Sequence, residues 1–201
     1  MADIILDNIY LILLLPLWIF LIIMSARFFA VYVNNRIIYT LTLLSSFFGV
    51  LLCSVSLIKL TSTIEQSFPF IKIGNFVLDF GLHVDKLSLI IALVLFLVSF
   101  LVQMFSVSYM KDEPKQYRYY AYLNMFNFSM AGLIFSPNLF QMYFFWELVG
   151  VMSYLLIGFD YKNSVKSEAS RRVFLTNRIG DTALLGGIIF SSYLMYNYSG
   201  N

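Results

Sequence analysis

The sequence has little charge and almost none of the residues that build metal or disulfide sites. Lysine, arginine, aspartate and glutamate together make up 12% of the 201 residues, about half the share that is usual in a soluble domain. Cysteine and histidine occur once each, as Cys53 and His83. A single cysteine cannot form a disulfide framework, and one cysteine with one histidine supplies too few ligands for a zinc or haem centre. The basic residues are scattered along the chain, which argues against nucleic-acid binding.

The sequence is rich in apolar residues. Sixty per cent of the chain is hydrophobic, and the mean hydropathy is +0.82. The 21 phenylalanines and 14 tyrosines suit side chains that lie at a membrane–water interface. The composition therefore predicts an all-α integral membrane protein without a separate soluble domain.

Six segments are long and apolar enough to cross a bilayer, which takes ~20 residues of α-helix. The predicted transmembrane helices are Ile9–Val33, Ile37–Leu60, Leu87–Val107, Tyr117–Phe135, Asn138–Gly158 and Arg172–Tyr196. We therefore expect about six transmembrane helices joined by short loops, except for a longer connection between the second and third.

That longer connection carries a hairpin signal. Its segment Phe70–Phe80 reads FIKIGNFVLDF, in which two β-rich runs flank Gly74-Asn75. A two-residue Gly-Asn link is typical of a tight β-hairpin. We expect a β-hairpin over about residues 68–82, on the outer face of the membrane. An irregular loop is the alternative.

The basic residues predict the orientation of the chain, because they stay on the cytoplasmic side of short loops. Three basic residues fall on one predicted face, namely Lys59, Lys72 and Lys86. Nine fall on the other: Arg27, Arg36, Lys111, Lys115, Arg118, Lys162, Lys166, Arg171 and Arg172. Both termini are therefore expected outside.

Glu147 is an ionisable residue in the middle of a predicted transmembrane helix. Nine residues of the segment Asn138–Gly158 precede it and eleven follow it. A carboxylate at that depth costs ~2.5–3.5 kcal/mol on insertion scales. A buried cation, a chain of water molecules or protonation offsets this cost, and all three are properties of proton routes. The alternative is a glutamate that only ties two helices together.

Arg178 and Asp181 lie three residues apart on the sixth predicted helix, so they share a helix face and are expected to pair. Such a pair either belongs to a proton route or only lowers the cost of insertion. Arg178 is expected nearer the cytoplasmic side than Glu147. Glu147 would then have no counter-charge within this chain, and we expect its carboxyl group to be protonated in this chain alone, whereas a buried lysine in the rest of the protein would favour the carboxylate.

The remaining polar residues of interest predict structural roles. Asp85 is placed to cap the third helix, and His83 is a weaker candidate for gating. Hydrogen bonds between helices are expected from Ser99, Gln103, Asn124, Asn127 and Ser129.

The residues around Glu147 and Asp181 carry a resemblance to a known family. The runs NLFQMYFFWELVGVMSYLLIGF and TNRIGD, with VDKLS and Tyr122-Leu-Asn124, resemble the chain L (chain 5) family of NADH–quinone oxidoreductase, respiratory complex I. The resemblance covers roughly residues 10–200. The WEL-x-G-x-x-SYLLIG part is shared with Mrp-type cation/proton antiporters, whereas NRIGD points to complex I.

The resemblance implies a function for each of these residues. Glu147 matches a glutamate that pairs with a lysine on the family's seventh helix and modulates its proton affinity. Asp181 and Arg178 match residues of the same polar axis. The resemblance also implies no cofactor or metal in this chain, since NADH, FMN, iron–sulfur clusters and quinone bind elsewhere in the complex. The implied partners are the other membrane-arm subunits and the lipid bilayer.

The chain is shorter than the family pattern, in which repeats begin at the fourth helix. We expect residues 1–116 to form the first three helices with the hairpin, and residues 117–201 to begin the proton-translocating repeat. The rest of the subunit, from helix seven onward, is then a further partner. A split gene, a truncated reading frame and a fragment all explain the length.

The resemblance implies a proton-translocating subunit that couples electron transfer from NADH to quinone to proton pumping, and two other functions stay open beside it. One is a subunit of an Mrp-type cation/proton antiporter or a related ion-coupled transporter, and the other is a truncated membrane scaffold that pumps nothing. The expected location is a bacterial plasma membrane, with the mitochondrial inner membrane and the thylakoid as alternatives.

The predicted orientation is tested by placing single cysteines at Asn8, Lys115 and Asn201. On intact cells an impermeant thiol reagent should label the cysteines at Asn8 and Asn201, because both termini are expected outside. Labelling at Lys115 without labelling at Asn8 would contradict the assignment.

Overall fold

The structure, a computed structural model, describes residues 2–29, 34–73, 76–111, 113–160 and 164–199. The helices are α1 (Ala2–Phe28), α2 (Asn35–Lys59), α3 (Lys86–Tyr109), α4 (Gln116–Ile134), α5 (Leu139–Ile157) and α6 (Ser164–Ser199). Between α2 and α3 lie two strands, β1 (Ile64–Ile73) and β2 (Phe76–Val84). The predicted fold, helices with one small hairpin, is confirmed.

The sixth helix is much longer than predicted. It begins at Ser164 instead of Arg172 and runs for 36 residues, or about 54 Å, well beyond the ~30 Å hydrocarbon core. Its first turns are polar and carry an ion pair between Glu168 and Arg172, four residues apart. Such pairs stabilise a helix outside the bilayer, which a search for apolar residues alone does not detect.

Helix α4 differs from the other five. Among the described residues, five helices have the length and apolar character of membrane spans, and α4 is the helix that does not. It packs against α1, α2, α3 and α5, so its polar side chains lie inside the bundle. Buried on α4 are Gln116, Asn124, Asn127 and Ser129. An inner helix shielded by its neighbours does not need a fully apolar surface.

The close packing of α2 on α3 depends on a small residue. A Cβ atom added to Gly49 would lie 2.5 Å from the ring of Phe96, which is fully buried. The same holds for α4 and α5, where a Cβ on Gly132 would lie 2.3 Å from the ring of Phe145. Glycine at these points lets neighbouring helices approach closely.

The hairpin is fastened to the start of α5. The side-chain amide of Gln141 accepts a hydrogen bond from the Gly81 N–H at 2.8 Å and donates one to the Gly81 carbonyl at 2.9 Å. Gly81 itself faces β1 so closely that a Cβ would lie 2.1 Å from the Gln66 carbonyl oxygen. The paired strands span residues 64–84 and so exceed the predicted 68–82. Gly74 and Asn75 lie outside the described residues.

His83, a candidate for gating, lies within the hairpin. Its Nδ1 is 2.9 Å from Oε1 of Glu65, the residue opposite it in the strand register. Its backbone N–H donates to the carbonyl of Phe135 just after α4. The first contact lies within the hairpin, and the second connects the hairpin to the end of α4.

Asp85 caps α3 as predicted. Its carboxylate accepts a 2.7 Å hydrogen bond from the Ser88 N–H, and the Ser88 hydroxyl lies 2.9 Å from the Asp85 N–H. These bonds from the Ser88 backbone and side chain hold the pKa of Asp85 below its ordinary value of 3.8. A group with a lowered pKa stabilises the fold above its unfolded value, and this contribution is lost as the pH falls through the folded value.

Replacing Asp85 with alanine should lower the free energy of unfolding by about 1 kcal/mol near neutral pH, because the N-cap hydrogen bond is lost. The difference from wild type should shrink as the pH falls below 3.8. Thermal unfolding of the detergent-solubilised chain, followed against pH, measures both effects.

Asp85→Asn is the matched control, because asparagine keeps the capping oxygen without the titrating charge. The asparagine variant should lack the acid-dependent part of the stability. An alanine variant as stable as wild type at neutral pH would contradict the capping role.

Candidate functional site

The candidate site is centred on Glu147, halfway along α5. Eight residues of the helix precede it and ten follow it, so it lies more than 10 Å from either end. Its side chain is 23% exposed. The predicted position of this carboxyl group near the middle of its helix is thus reproduced by the helix bounds.

Arg178 on α6 is the partner of Glu147. Its guanidinium forms an ion pair with Oε2 of the Glu147 carboxylate, and it also lies over the ring of Phe174, 5.3 Å from the centroid. The expectation that Arg178 lies too near the cytoplasmic side to reach Glu147 is therefore wrong. The guanidinium stands at the end of a long side chain, so the depth of its Cα does not fix the depth of its charge. The reason for expecting a protonated Glu147 no longer holds.

Asp181 contacts a different residue from the one predicted. Its Oδ1 accepts a 2.8 Å hydrogen bond from the indole N–H of Trp146. The carboxylate is 8% exposed and lines a cleft of about 650 Å³ between α4, α5 and α6. The Arg178 guanidinium is instead directed to Glu147. The predicted Arg178–Asp181 pair is therefore replaced by two contacts between helices.

The three predicted site residues thus lie in one region of the α5–α6 interface but form two separate contacts. Trp146 and Glu147 are adjacent on α5, and neighbouring residues of a helix point about 100° apart. The pair Glu147–Arg178 and the pair Trp146–Asp181 consequently occupy different sides of this interface. Of these four residues, Trp146 and Asp181 line the cleft, and Glu147 and Arg178 do not.

Sequence reasoning missed Tyr143 and Trp146. The Tyr143 hydroxyl donates a 2.6 Å hydrogen bond to Oε1 of Glu147, so both carboxylate oxygens of Glu147 have a donor. The spacing of four residues between Tyr143 and Glu147 was a usable signal, because such residues are neighbours on a helix surface. Nothing in the sequence indicated that Trp146 reaches Asp181, since that contact depends on how α5 and α6 pack.

The site contains a carboxylate, that of Glu147, whose negative charge is paired with the positive charge of Arg178 within the membrane-spanning helices. One oxygen of Glu147 bonds a neutral phenol and the other a guanidinium, which stays charged at all accessible pH values. A carboxylate has about four lone-pair positions, so capacity for a further donor or cation remains. Among the described residues, no three His, Cys, Asp or Glu side chains are grouped as metal ligands.

The expected hydrogen bonds between helices form at some polar positions and not at others. Ser99 donates to Asn127 Oδ1 at 2.6 Å, and Gln103 accepts from Ser46 at 2.9 Å. In contrast, Asn124 and Ser129 bond to carbonyls of their own helix. For these two residues the expectation is wrong, because polar side chains on a helix have backbone acceptors one turn away.

Two family models match the chain. Residues 70–120 match the model described as NADH-ubiquinone oxidoreductase (complex I), chain 5 N-terminus. Residues 136–201 match the model described as NADH:quinone oxidoreductase/Mrp antiporter, transmembrane. The second match contains Glu147, Arg178 and Asp181.

Curated relatives carry related names. The chain is 47% identical over 116 residues to NAD(P)H-quinone oxidoreductase chain 5 of Picosynechococcus sp., over 58% of this chain and 18% of the relative. It is 42% identical over 134 residues to the chloroplastic NAD(P)H-quinone oxidoreductase subunit 5 of Mesostigma viride, over 67% of this chain and 21% of the relative. The chain thus spans about one fifth of the length of these relatives.

A solved structure shares the fold. It is a chain of the membrane-bound sulfane sulfur reductase, described as an archaeal respiratory membrane complex, and it aligns with a TM-score of 0.72. The alignment covers 89% of this chain and 36% of that chain, with 21% sequence identity. At this identity the likeness concerns the arrangement of the helices alone.

The contacts at the site predict which double-mutant cycle shows coupling. Glu147→Gln combined with Arg178→Gln should give an interaction energy of about 0.5–3 kcal/mol, because each single change leaves the other charge unpaired. Arg178→Gln combined with Asp181→Asn should be closer to additive, since Asp181 bonds Trp146. The free energy of unfolding of the three single variants, the two double variants and wild type in detergent gives both cycles.

Trp146→Phe supplies an independent control. It removes the indole donor of Asp181 while keeping an aromatic ring, and its effect should be coupled to that of Asp181→Asn. A larger coupling of Arg178 to Asp181 than to Glu147 would contradict the observed pairing.

Proposed function

Because this chain belongs to the chain 5 family of complex I antiporter-like membrane subunits, we propose that it forms part of a proton-translocating subunit of NADH:quinone oxidoreductase. The observation that carries the proposal is the ion pair between Glu147 and Arg178 in the middle of two transmembrane helices. A charged pair at that depth is costly. Such pairs in membrane proteins mark ion and proton routes.

In the proposed mechanism Glu147 acts as an electrostatic switch. A carboxylate ~4 Å from an ammonium group, at an effective dielectric constant near 20, interacts with it by ~4 kcal/mol. This corresponds to about a thousandfold change in the proton affinity of the ammonium group. The approach of Glu147 to a lysine on a following helix would therefore load that lysine with a proton, and withdrawal would release the proton.

Arg178 has a definite place in this mechanism. It gives Glu147 a second counter-charge, so the carboxylate remains compensated when it leaves the lysine. The side chain of Arg178 is 47% exposed, which leaves room for another helix to approach the pair. Tyr143 holds the second carboxylate oxygen and limits the rotation of Glu147.

We expect this chain to work together with other parts of a larger membrane complex. Residues 1–116 would form the supporting helices and the hairpin, and residues 117–201 would begin the proton-translocating repeat. Partners would be the remainder of the same subunit, from helix seven onward, and other membrane-arm subunits. NADH, FMN, iron–sulfur clusters and quinone would bind elsewhere in the complex. Cyanobacterial and chloroplast relatives support a bacterial or thylakoid membrane.

A cation/proton antiporter is the second candidate. It is favoured by the description of the family model over residues 136–201, which includes Mrp antiporters. The two functions differ in their driving reaction, because an antiporter moves protons in response to a sodium gradient without NADH. A non-pumping scaffold would support neither activity.

The test uses Glu147→Gln in the complete complex reconstituted in liposomes. Glutamine keeps the size of the side chain and removes its charge. Loss of even one third of the ~4 kcal/mol interaction should slow NADH-driven proton uptake about tenfold. A pH-sensitive dye inside the liposomes gives the rate, and blue-native gels verify that the complex is assembled.

Glu168→Gln is the matched control. Glu168 is also a glutamate paired with an arginine, but it is exposed on the polar first turns of α6. Its replacement should leave proton uptake unchanged. A Glu147→Gln complex that pumps at the wild-type rate would exclude the switch, and sodium-driven uptake without NADH would favour the antiporter.

A further inference from the structure

A second set of buried polar side chains lies away from Glu147, on α2, α3 and α4. We name it the polar seam. Its members are Ser45, Ser46, Ser99, Gln103, Ser106, Tyr120, Asn124 and Asn127. Each of them is at most 7% exposed. The seam contains no carboxylate, lysine, arginine or histidine, so it is chemically distinct from the candidate site on α5 and α6.

The spacing of these residues aligns them along the helices. On α3 the members are Ser99, Gln103 and Ser106, and on α4 the steps of four and three residues recur in Tyr120, Asn124 and Asn127. This spacing places each set on one face of its helix. Seven residues of helix cover about 10 Å. The seam is therefore an elongated polar strip inside the bundle.

Hydrogen bonds at both ends fix the level of α3 against α4. Ser99 bonds Asn127 at 2.6 Å, and the Ser106 and Tyr119 hydroxyls lie 2.9 Å apart. From the first contact to the second, residue numbers rise along α3 and fall along α4, so the two helices run antiparallel. Gln103 therefore lies at nearly the same height along the bundle as Asn124. Ser46 on α2 reaches the same level through its bond to Gln103.

Five polar atoms of the seam have no hydrogen-bond partner among the described residues. They are Gln103 Nε2, Asn127 Nδ2, Asn124 Oδ1, Ser45 Oγ and Tyr120 Oη. Leaving one buried polar group unpaired costs about 1–3 kcal/mol, and the bilayer core offers no solvent to relieve this cost. Five such groups together are a large penalty for a protein of ordinary stability.

Turning the amides over does not remove the problem. If Asn127 were reversed, its Nδ2 would face the Ser99 hydroxyl and its Oδ1 would lose its donor. The same exchange applies to Gln103 and Ser46. Since each amide has one partner within reach, either orientation leaves one half of the group unpaired.

The unpaired atoms define the kind of ligand that fits. The amide nitrogens of Gln103 and Asn127 offer N–H donors, Asn124 Oδ1 offers an acceptor, and the hydroxyls of Ser45 and Tyr120 do both. A bound ion would find no opposite charge here. Water accepts and donates at once, and a buried water molecule takes about three polar partners.

We propose that the polar seam binds ordered water molecules between α2, α3 and α4. Five atoms call for roughly two waters, since each satisfies about three partners and some protein atoms are shared. The waters sit at the level of Gln103 and Asn124 and join the three helices. This site does not depend on the proposed function, because it involves neither Glu147 nor Arg178.

The test is a map of the assembled complex containing this chain, at a resolution that shows water. Ordered density is expected at hydrogen-bonding distance, about 2.7–3.2 Å, from Gln103 Nε2 and from Asn124 Oδ1. Direct pairing of the five atoms with protein groups, without water density between the three helices, would overturn the proposal.

Variants give a second readout. Infrared spectra in H₂¹⁸O identify water bands by their isotope shift, and Asn124→Leu should remove bands that wild type shows. Ser54→Ala is the control, because Ser54 is also on α2 but bonds the Val50 carbonyl within its own helix and should keep them. Equal water bands in Asn124→Leu and wild type would count against the seam. If Asn124→Leu does not assemble, the wild-type map decides alone.

Discussion

The bilayer core supplies no water, so every polar group that enters it must find its partner within protein or with trapped solvent. In this chain that constraint determines where the polar residues lie. Burying the charge of Glu147 would cost much free energy if α5 stood alone. The guanidinium of Arg178 on α6 compensates this charge. The Asp181 carboxylate accepts a hydrogen bond from the neutral indole of Trp146. These two contacts join α5 to α6, which otherwise exposes much of its surface.

The constraint also separates the chain into two polar regions of different chemistry. The contacts between α5 and α6 involve the charged side chains of Glu147, Arg178 and Asp181. The polar seam between α2, α3 and α4 consists of hydroxyls and amides, which hold water without titrating near neutral pH. α4 packs against both α3 and α5. One inner helix with buried asparagines therefore lies between a hydrated support and the proposed switch.

Much of the fold was predictable from the sequence, because it follows from local pattern. Apolar runs of ~20 residues mark helices, Asp85 followed by Ser88 marks a cap, and β-rich runs around a Gly-Asn link mark a hairpin. The partners of Arg178 and Asp181 were not predictable, since two residues three apart on a helix appear paired until a neighbouring helix offers better partners. The polar first turns of α6 were missed for a related reason, because ion pairs such as Glu168–Arg172 leave no apolar signal.

The proposed switch depends on the ion pair between Arg178 and Glu147 on two neighbouring helices. Infrared spectroscopy of this chain in lipid measures it most directly, because a protonated carboxyl group absorbs apart from a carboxylate. Wild type should show no protonated band from Glu147 at neutral pH. Such a band should appear in Arg178→Gln and disappear again when Glu147→Gln is added. A protonated Glu147 band in wild type, unchanged by Arg178→Gln, would exclude the ion pair between Glu147 and Arg178.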